Sequence, residues 1–201
     1  MNSNVEEAVR ILRGGGLILY PTDTIWGIGC DARNEEAVRR VFALKQRADS
    51  KSLVLLARDE AMIGEYVEEI PEMALQLLEV NDAPMTIIYP GARIAHPVGK
   101  SGKPGDGLAP SCVAADGTVG MRIPHASGFC MELLKAFGAP IVSTSANISG
   151  NPSPKSFDDV DAAIKAGVDH IVARECEGVS TGAASQIIKV DIDGGIKIIR
   201  G

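Results

Sequence analysis

Leu17-Ile18-Leu19-Tyr20-Pro21-Thr22-Asp23-Thr24 decides the fold, because a short apolar run gives way at a proline to polar side chains. A brief, continuous apolar run is typical of a strand buried on both faces. The same change follows Ile141-Val142, where the polar stretch Ser143-Thr144-Ser145-Ala146-Asn147 begins. In α/β folds, the polar groups that converge on a ligand lie at the ends of such strands. These hydroxyls and the amide therefore predict a ligand site where the strands end.

Helices and strands alternate outward from these stretches. Residues 3–13 carry apolar side chains at helical spacing, and Asn34 suits the N-cap of a second helix whose last turn carries Lys45 and Arg47. The other predicted helices are 59–66, 71–80, 127–137 and 158–166. The predicted strands are 17–20, 53–56, 85–89, 118–123, 141–143, 170–172, 186–190 and 196–199. This order predicts an α/β fold, with one domain over residues 1–201 and a twisted, mixed parallel and antiparallel sheet flanked by helices. The last two strands are close in sequence, which favours antiparallel pairing.

The composition narrows the class of protein. A chain of 201 residues with 45% apolar content can bury one good core, and its net charge of −6 argues against a surface made for wholesale nucleic-acid binding. The four cysteines are widely spaced, which favours a reducing compartment over a disulfide framework or a zinc knuckle. The N-terminus lacks a signal-peptide pattern, and no apolar run approaches the roughly 20 residues of a membrane helix. We therefore expect a cytoplasmic protein without a membrane partner.

Two polar clusters leave alternatives open. Lys45-Gln46-Arg47, with Lys51 nearby, suits a polyphosphate, because arginine offers a forked cation and lysine a mobile one. The alternative is ordinary cationic complementation of a helix C-terminus. Ser143–Asn147 could offer hydroxyls, an amide and backbone N–H groups to phosphate oxygens, or could be a turn that caps the next element. Arg122 follows Gly120 at a strand end and suits either an anion or a surface ion pair.

Other motifs are excluded or weak. Gly99-Lys100-Ser101 is not a P-loop, because Ile94 occupies the position of the first glycine and no helix is predicted after the motif. The histidines have no metal-like spacing, so we predict no metal site formed by protein ligands. Trp26 is expected to pack in the core. Residues 97–117 are too poor in apolar side chains for an element and are typical of a lid, a binding loop or disorder.

Taken in order, the clusters resemble the YrdC/TsaC family, the threonylcarbamoyl-AMP synthases. The resemblance covers roughly residues 5–201. It is carried by these stretches: Pro21-Thr22-Asp23-Thr24 with Trp26-Gly27, the Lys-x-Arg of Lys45 and Arg47, Lys51 with Leu53, Pro84-Met85-Thr86, Gly120-Met121-Arg122-Ile123-Pro124, the Ser-x-Asn of Ser145 and Asn147, and Arg200-Gly201. The chain departs from the family at Ala48 and Ser52, where proline is usual, at Ala83, where glycine is usual, and at Gln186, where the second residue of a Ser-Thr pair is expected.

The resemblance implies a YrdC-like fold with a basic concave cleft and an ATP-dependent synthesis. L-Threonine and bicarbonate would give an N-carboxylated threonine, whose carboxylate attacks the α-phosphate of ATP and releases pyrophosphate. Mg²⁺ is expected through the ATP phosphates. The implied catalytic residues are Lys45, Arg47, Ser145 and Asn147. The implied ATP- and threonine-binding residues are Thr24, Lys51, Thr86, Thr118, Arg122, Ser143, Ser185 and Arg200.

The implied partners are the proteins that transfer the threonylcarbamoyl group to tRNA. The alternative function is a non-catalytic module that binds double-stranded RNA or tRNA through the same cleft. The acidic balance and the aromatic content of 4% speak against RNA binding as the main role. Because Lys45 and Arg47 are placed at a solvated helix end, we expect their replacement to leave the stability of the fold nearly intact.

Overall fold

The computed structural model describes residues 2–47, 53–95 and 107–201. Six α-helices lie in these ranges: α1 (Ser3–Arg13), α2 (Glu35–Leu44), α3 (Glu60–Tyr66), α4 (Glu72–Val80), α5 (Phe129–Phe137) and α6 (Ala162–Gly167). The strands are β1 (Ile18–Tyr20), β2 (Gly27–Gly29), β3 (Val54–Leu56), β4 (Met85–Tyr89), β5 (Val119–Arg122), β6 (Ile141–Ser145), β7 (His170–Ile171), β8 (Gln186–Val190) and β9 (Ile196–Arg200). Among the described residues, no helix is long and apolar enough to cross a membrane.

The strands described here form one sheet in the order β7-β1-β2-β6-β3-β5-β4-β8-β9. The pairs β1–β7, β3–β5 and β4–β8 are parallel, and the other neighbours are antiparallel. The predicted mixed sheet is therefore confirmed, and so is the antiparallel pairing of the last two strands. Each short strand is completed by neighbours that are distant in sequence, which is how three-residue strands become stable.

Alternating side chains of β1 enter two apolar clusters. Leu17 and Leu19 belong to the larger cluster with α2 and α3, whereas Ile18 and Tyr20 join α1 and α5 in the smaller one. Successive side chains of a strand point to opposite faces, so helices cover both faces of the sheet. Burial on both faces explains why β1 is apolar throughout.

Local signals placed the start of α2 correctly and that of α6 too early. Asn34 caps α2, and its side chain accepts a hydrogen bond from the Ala37 N–H. The predicted helix over 158–166 starts later, at Ala162, because Phe157–Asp159 forms a separate 3₁₀ turn closed by a Ser156/Asp159 capping box.

Two expectations about elements were wrong. No strand was predicted at β2, yet β2 pairs with β1 on one side and β6 on the other. The second helix ends at Leu44, so Lys45 is its C-cap and Arg47 lies beyond it. Within the predicted 97–117 loop, residues 97–106 lie outside the described residues, and Pro110–Cys112 forms a 3₁₀ turn.

Candidate functional site

The strand register brings the polar clusters together. Tyr20 pairs with Gly27, and Gly27 pairs with Ser145, so the stretch after β1 lies beside the end of β6. On the other side of β6, Val54 of β3 lies level with both Ser143 and Gly120. Segments more than a hundred residues apart therefore meet on one part of the sheet.

A cavity of about 190 Å³ opens at this meeting point, and we call it the arginine cavity. Arginines and hydroxyl-bearing side chains dominate its wall, and no Asp or Glu lines it among the described residues. Its lining residues are Thr22, Thr24, Ile25, Gly27, Arg47, Leu53, Val54, Arg122, Ser143, Thr144, Ser145, Ser153, Ala184, Ser185, Ile187 and Arg200. A wall of fixed cations and hydroxyl donors, without a lining carboxylate among the described residues, favours an anionic ligand such as phosphate or carboxylate.

Arg122 and Arg200 are both held by the protein while they line this cavity. The Arg122 Nη1 atom lies 2.7 and 2.8 Å from the two carboxylate oxygens of Asp23. Arg200 donates from Nε and Nη2 to the main-chain carbonyl oxygen of Ser185, over 3.0 and 2.6 Å. Arg47 lines the same cavity, and partial burial lowers the pKa of its guanidinium. Arginine nevertheless stays charged at neutral pH.

Lys45 does not face the arginine cavity. Its side chain is only 1% exposed, and its Nζ atom donates to the main-chain carbonyl oxygens of Ser145 and Asn147, the latter over 2.7 Å. Nζ also lies 3.2 Å from the amide oxygen Oδ1 of Asn147. Burial, with the nearby positive charge of Arg47, lowers the pKa of this ammonium group to about 8. The expectation of a solvated position is therefore wrong for Lys45. Its ammonium group stabilises the turn after β6 through hydrogen bonds to the main chain.

Gln46 lies between Lys45 and Arg47, just after the end of α2. Its φ angle is 50°, in the left-handed region that non-glycine residues seldom occupy. The Arg47 N–H donates to the Phe42 carbonyl oxygen, as is common where a left-handed residue ends a helix. The helix ends there, with Lys45 buried in the core and Arg47 lining the cavity.

The remaining predicted residues divide into two groups. Thr24, Arg47, Arg122, Ser143, Ser145, Ser185 and Arg200 line the arginine cavity. Asn147 does not line it, because its amide oxygen accepts from the Ser145 hydroxyl at 2.5 Å and its Nδ2 donates to the Asn151 carbonyl oxygen. This amide therefore shapes the turn that carries Ser145.

Thr86, Thr118 and Lys51 complete the account of the predicted site. The Thr86 hydroxyl is fully buried and lies 2.8 Å from the Ser185 hydroxyl, so it positions a lining residue without lining the cavity itself. The Thr118 hydroxyl donates to Asp116, and Thr118 does not line the arginine cavity. Lys51 lies outside the described residues, as do Ala48 and Ser52.

The loop after β1 is held rigidly at the mouth of the cavity. The Thr22 hydroxyl accepts from the N–H groups of Thr24 and Ile25 and donates to the Ile25 carbonyl oxygen at 2.6 Å. The Thr181 N–H donates to the Asp23 carbonyl oxygen at 3.0 Å, and the Ser180 hydroxyl donates to that of Thr24. A loop fixed by this many bonds can present its side chains without reorganisation.

A larger cavity of about 970 Å³ adjoins the arginine cavity and shares Thr22 with it. Its lining differs in charge, because it includes the carboxylates of Asp23, Glu60 and Asp82 together with His125. Asp23 therefore faces the larger cavity while its partner Arg122 faces the smaller one. Within the described part of the chain, no three His, Cys, Asp or Glu side chains come together as metal ligands.

Sequence reasoning missed Asp23 as a functional candidate and predicted Trp26 correctly. Asp23 lies in the stretch 17–24, but no signal in the neighbouring sequence indicates that Arg122, 99 positions away, is its partner. Trp26 is 2% exposed and packs against Phe157, with ring centroids 4.9 Å apart, as expected for a core residue.

Comparisons with known proteins agree with this geometry. The Sua5/YciO/YrdC family model, described as "Telomere recombination", matches residues 10–201. A protein of Hahella chejuensis named threonylcarbamoyl-AMP synthase is 32% identical over 177 residues, covering 88% of this chain and 89% of the relative. A protein of the same name from Vibrio cholerae is 36% identical over 154 residues, covering 75% and 74% of the two chains.

The fold is also similar to solved structures. Sua5 of P. abyssi, complexed with L-threonine, matches with a TM-score of 0.78 at 26% identity, covering 92% of this chain. This chain spans 50% of that protein's length. E. coli YciO matches with a TM-score of 0.74 at 24% identity, over 98% of this chain and 87% of YciO, and supports the fold alone. With a family model matched over nearly its whole length and relatives above 30% identity, this chain belongs to the Sua5/YciO/YrdC family.

Proposed function

We propose that this chain is a threonylcarbamoyl-AMP synthase, which converts L-threonine, bicarbonate and ATP into threonylcarbamoyl-AMP and pyrophosphate. The observation that carries the proposal is the arginine cavity, where three arginines and seven hydroxyl-bearing residues surround a space without a lining carboxylate among the described residues. All three substrates carry anionic groups that such a wall can bind. The curated relatives named for this activity support the same conclusion.

The chemistry demands stabilisation of negative charge more than proton transfer. The carboxylate of N-carboxylated threonine is already ionised at neutral pH, so it can attack the α-phosphate without a general base. Charge then builds on the α-phosphate and on the departing pyrophosphate. Donors fixed before the reaction stabilise this charge without the cost of reorganising during it.

We assign distinct roles to the residues of the cavity. Arg47 and Arg122 bind phosphate oxygens, and Arg200 closes the cavity from the Ser185 side. The hydroxyls of Ser143 and Ser145 position the reacting groups from β6, and that of Thr24 does so from the loop after β1. Lys45 and Asn147 act indirectly, because they hold the turn that carries Ser145.

The size of the arginine cavity implies that it encloses only the reacting centre. Its 190 Å³ is below the roughly 300–1,000 Å³ typical of pockets that enclose drug-sized ligands. ATP and threonine would therefore extend beyond it. Their charged groups would stay near the arginines, and the less charged portions would lie outside.

Mg²⁺ fits this site only as an ion bound through the phosphates of ATP. The arginine cavity offers hydroxyl oxygens but no lining carboxylate among the described residues, and Mg²⁺ commonly keeps its waters and binds substrate phosphates. Mg²⁺ supplies charge neutralisation on the phosphates, while this chain's arginines and hydroxyls do the positioning.

The product's fate involves further proteins in this proposal. Threonylcarbamoyl-AMP is a reactive mixed anhydride, so tRNA-modifying transferase proteins would take its acyl group. Direct RNA binding by this chain has less support, because several surface arginines are already paired with carboxylates. These pairs are Arg10–Glu7, Arg39–Glu35, Arg40–Asp169 and Arg174–Asp158.

Pyrophosphate release tests the proposal directly. Purified protein is incubated with ATP, Mg²⁺, threonine and bicarbonate, and then with each component omitted in turn. We expect release only in the complete mixture, with threonylcarbamoyl-AMP detected by mass spectrometry. Release that persists without threonine would refute the synthase. Tight binding of duplex RNA by a chain that makes no product would support the RNA-binding module instead.

A matched pair of variants locates the activity in the cavity. Arg47→Met removes a cation from the cavity wall, and we expect turnover to fall by roughly 100-fold or more. Arg39→Met, on the exposed face of α2, removes an equal charge away from the cavity and should leave turnover unchanged. Equal losses in the two variants would contradict the assignment.

A further inference from the structure

We propose that Asp23 is a positioning residue that orients Arg122 for the bound anion. This inference rests on the proposed function, because it assigns Arg122 to the phosphates or the carboxylate in the arginine cavity. Asp23 itself faces the other side, toward the larger cavity. It would therefore act through Arg122 without touching the substrate in the arginine cavity.

The geometry of the ion pair carries the inference. Both carboxylate oxygens of Asp23 contact one nitrogen of Arg122, Nη1, at 2.7 and 2.8 Å. A guanidinium has five N–H groups, and this arrangement leaves the edge formed by Nε and Nη2 unoccupied by any protein acceptor among the described residues. That edge is one of the forks that bind carboxylate or phosphate with two parallel bonds. Asp23 thus holds one corner of the guanidinium and leaves a complete fork for a ligand.

Asp23 is itself fixed by two other bonds. Its Oδ2 atom accepts from the His125 N–H at 3.0 Å, and its carbonyl oxygen accepts from the Thr181 N–H at 3.0 Å. The Arg122 side chain is 4% exposed and that of Asp23 is 13% exposed, so water screens the pair weakly. A rigid anchor of this kind can set the direction of the Arg122 fork.

Asparagine cannot replace this aspartate. Both Asp23 oxygens face donors only, namely Nη1 of Arg122 and the main-chain N–H of His125. Whichever way the side-chain amide of an Asp23→Asn variant is turned, its NH₂ group points at a donor and displaces it. A glutamate keeps both acceptors, and the adjoining larger cavity gives room for its extra methylene.

Four variants test the inference: Asp23→Asn, Asp23→Glu, Arg122→Met and the double variant Asp23→Asn/Arg122→Met. Pyrophosphate release dependent on threonine is measured for each, and ATP affinity by calorimetry. We expect Asp23→Asn to lower kcat/KM by roughly 10- to 100-fold, Asp23→Glu to recover at least part of the loss, and the double variant to be no worse than Arg122→Met. Losses that multiply in the double variant, or an Asp23→Asn protein with wild-type kcat/KM and ATP affinity, would overturn the positioning role.

The control for fold damage is Asp31→Asn. Asp31 is also a buried carboxylate and accepts from Nε and Nη2 of Arg33 at 2.9 Å, but neither residue lines the arginine cavity. We expect it to lose stability, as Asp23→Asn does, and to keep wild-type kcat/KM. A kinetic loss in Asp31→Asn equal to that in Asp23→Asn would reduce the Asp23 effect to general destabilisation and overturn the inference. A wild-type protein that makes no product would refute the synthase function. In that case ATP affinity tests the inference separately, and equal affinity in wild type, Asp23→Asn and Arg122→Met would refute it as well.

Discussion

Lys45 and Asn147, 102 positions apart, are joined by two contacts: Nζ lies 2.7 Å from the main-chain carbonyl oxygen of Asn147 and 3.2 Å from its amide oxygen. The same ammonium group donates to the carbonyl oxygen of Ser145. A lysine at the C-cap of α2 thus stabilises the turn after β6 through hydrogen bonds to its main chain. Both residues therefore support the turn that carries Ser145, and their implied catalytic role stays a prediction.

Lys45→Met is expected to destabilise the fold as well as to lower turnover. Methionine keeps most of the volume but leaves the carbonyl oxygens of Ser145 and Asn147 without their donor in a buried position. Unsatisfied buried acceptors of this kind cost about 2–4 kcal/mol together. Urea denaturation measures the loss, with the exposed Lys135→Met of α5 as the control. Equal midpoints for the two variants would contradict the supporting role.

The contribution of Lys45 to stability should depend on pH in a defined direction. Burial lowers the pKa of its ammonium group to about 8 in the folded protein, whereas a lysine in an unfolded chain has a pKa of about 10.4. Between these values the unfolded chain binds more protons, so the free energy of unfolding that is due to Lys45 rises with pH, by at most roughly 1.4 kcal/mol per unit. More than about one unit below pH 8, both states are protonated and the contribution is flat.

Denaturation of wild type and Lys45→Met at pH 7, 8, 9 and 10 measures this slope. Titrations of the cysteines and tyrosines act on both proteins and cancel in the difference. We expect the gap between the two proteins to widen only slightly from pH 7 to 8 and more steeply from pH 8 to 10. A gap that narrows from pH 8 to 10 would show that the folded state favours the charged ammonium.

Gly29 of β2 should not tolerate alanine. A Cβ atom at this position would lie 2.7 Å from Cε1 of Tyr20 and 3.0 Å from the Val142 carbonyl oxygen, and neither the ring nor the strand can move freely. We expect Gly29→Ala to cost about 1–3 kcal/mol of stability. Gly64→Ala is the matched control, because a Cβ in α3 meets nothing closer than 3.7 Å and alanine is the better helix former by roughly 1 kcal/mol. Thermal unfolding should shift down for the first variant and up for the second.

Gln46 is expected to be one of the few positions where glycine stabilises. Its φ of 50° costs a non-glycine residue roughly 1 kcal/mol, and its side chain is exposed. We expect Gln46→Gly to raise the free energy of unfolding by up to about 1 kcal/mol and Gln46→Val to lower it. Loss of stability in the glycine variant would mean that the Gln46 side chain contributes more than its backbone costs.

Much of the fold could be predicted because its signals are local. Met85–Tyr89 is rich in apolar and β-branched residues and forms β4 with the predicted bounds, and the Asn34 N-cap of α2 depends only on neighbouring residues. The strand at Gly27–Gly29 was not predicted, because its glycines weaken any local strand signal. It forms β2 because β1 and β6 supply hydrogen bonds on both sides and Tyr20 needs the space beside Gly29.

The sequence by itself determined which chemical groups the site contains: arginines, serines and threonines at the ends of buried strands. Only the tertiary structure decided what each group faces. Lys45 and Arg47 are separated by one residue, yet Lys45 is buried in the core and Arg47 lines the cavity. The pairing of Asp23 with Arg122 likewise depends on how the loop after β1 packs against the end of β5. The direction of a side chain follows from backbone angles and strand register, which short-range residue preferences do not fix.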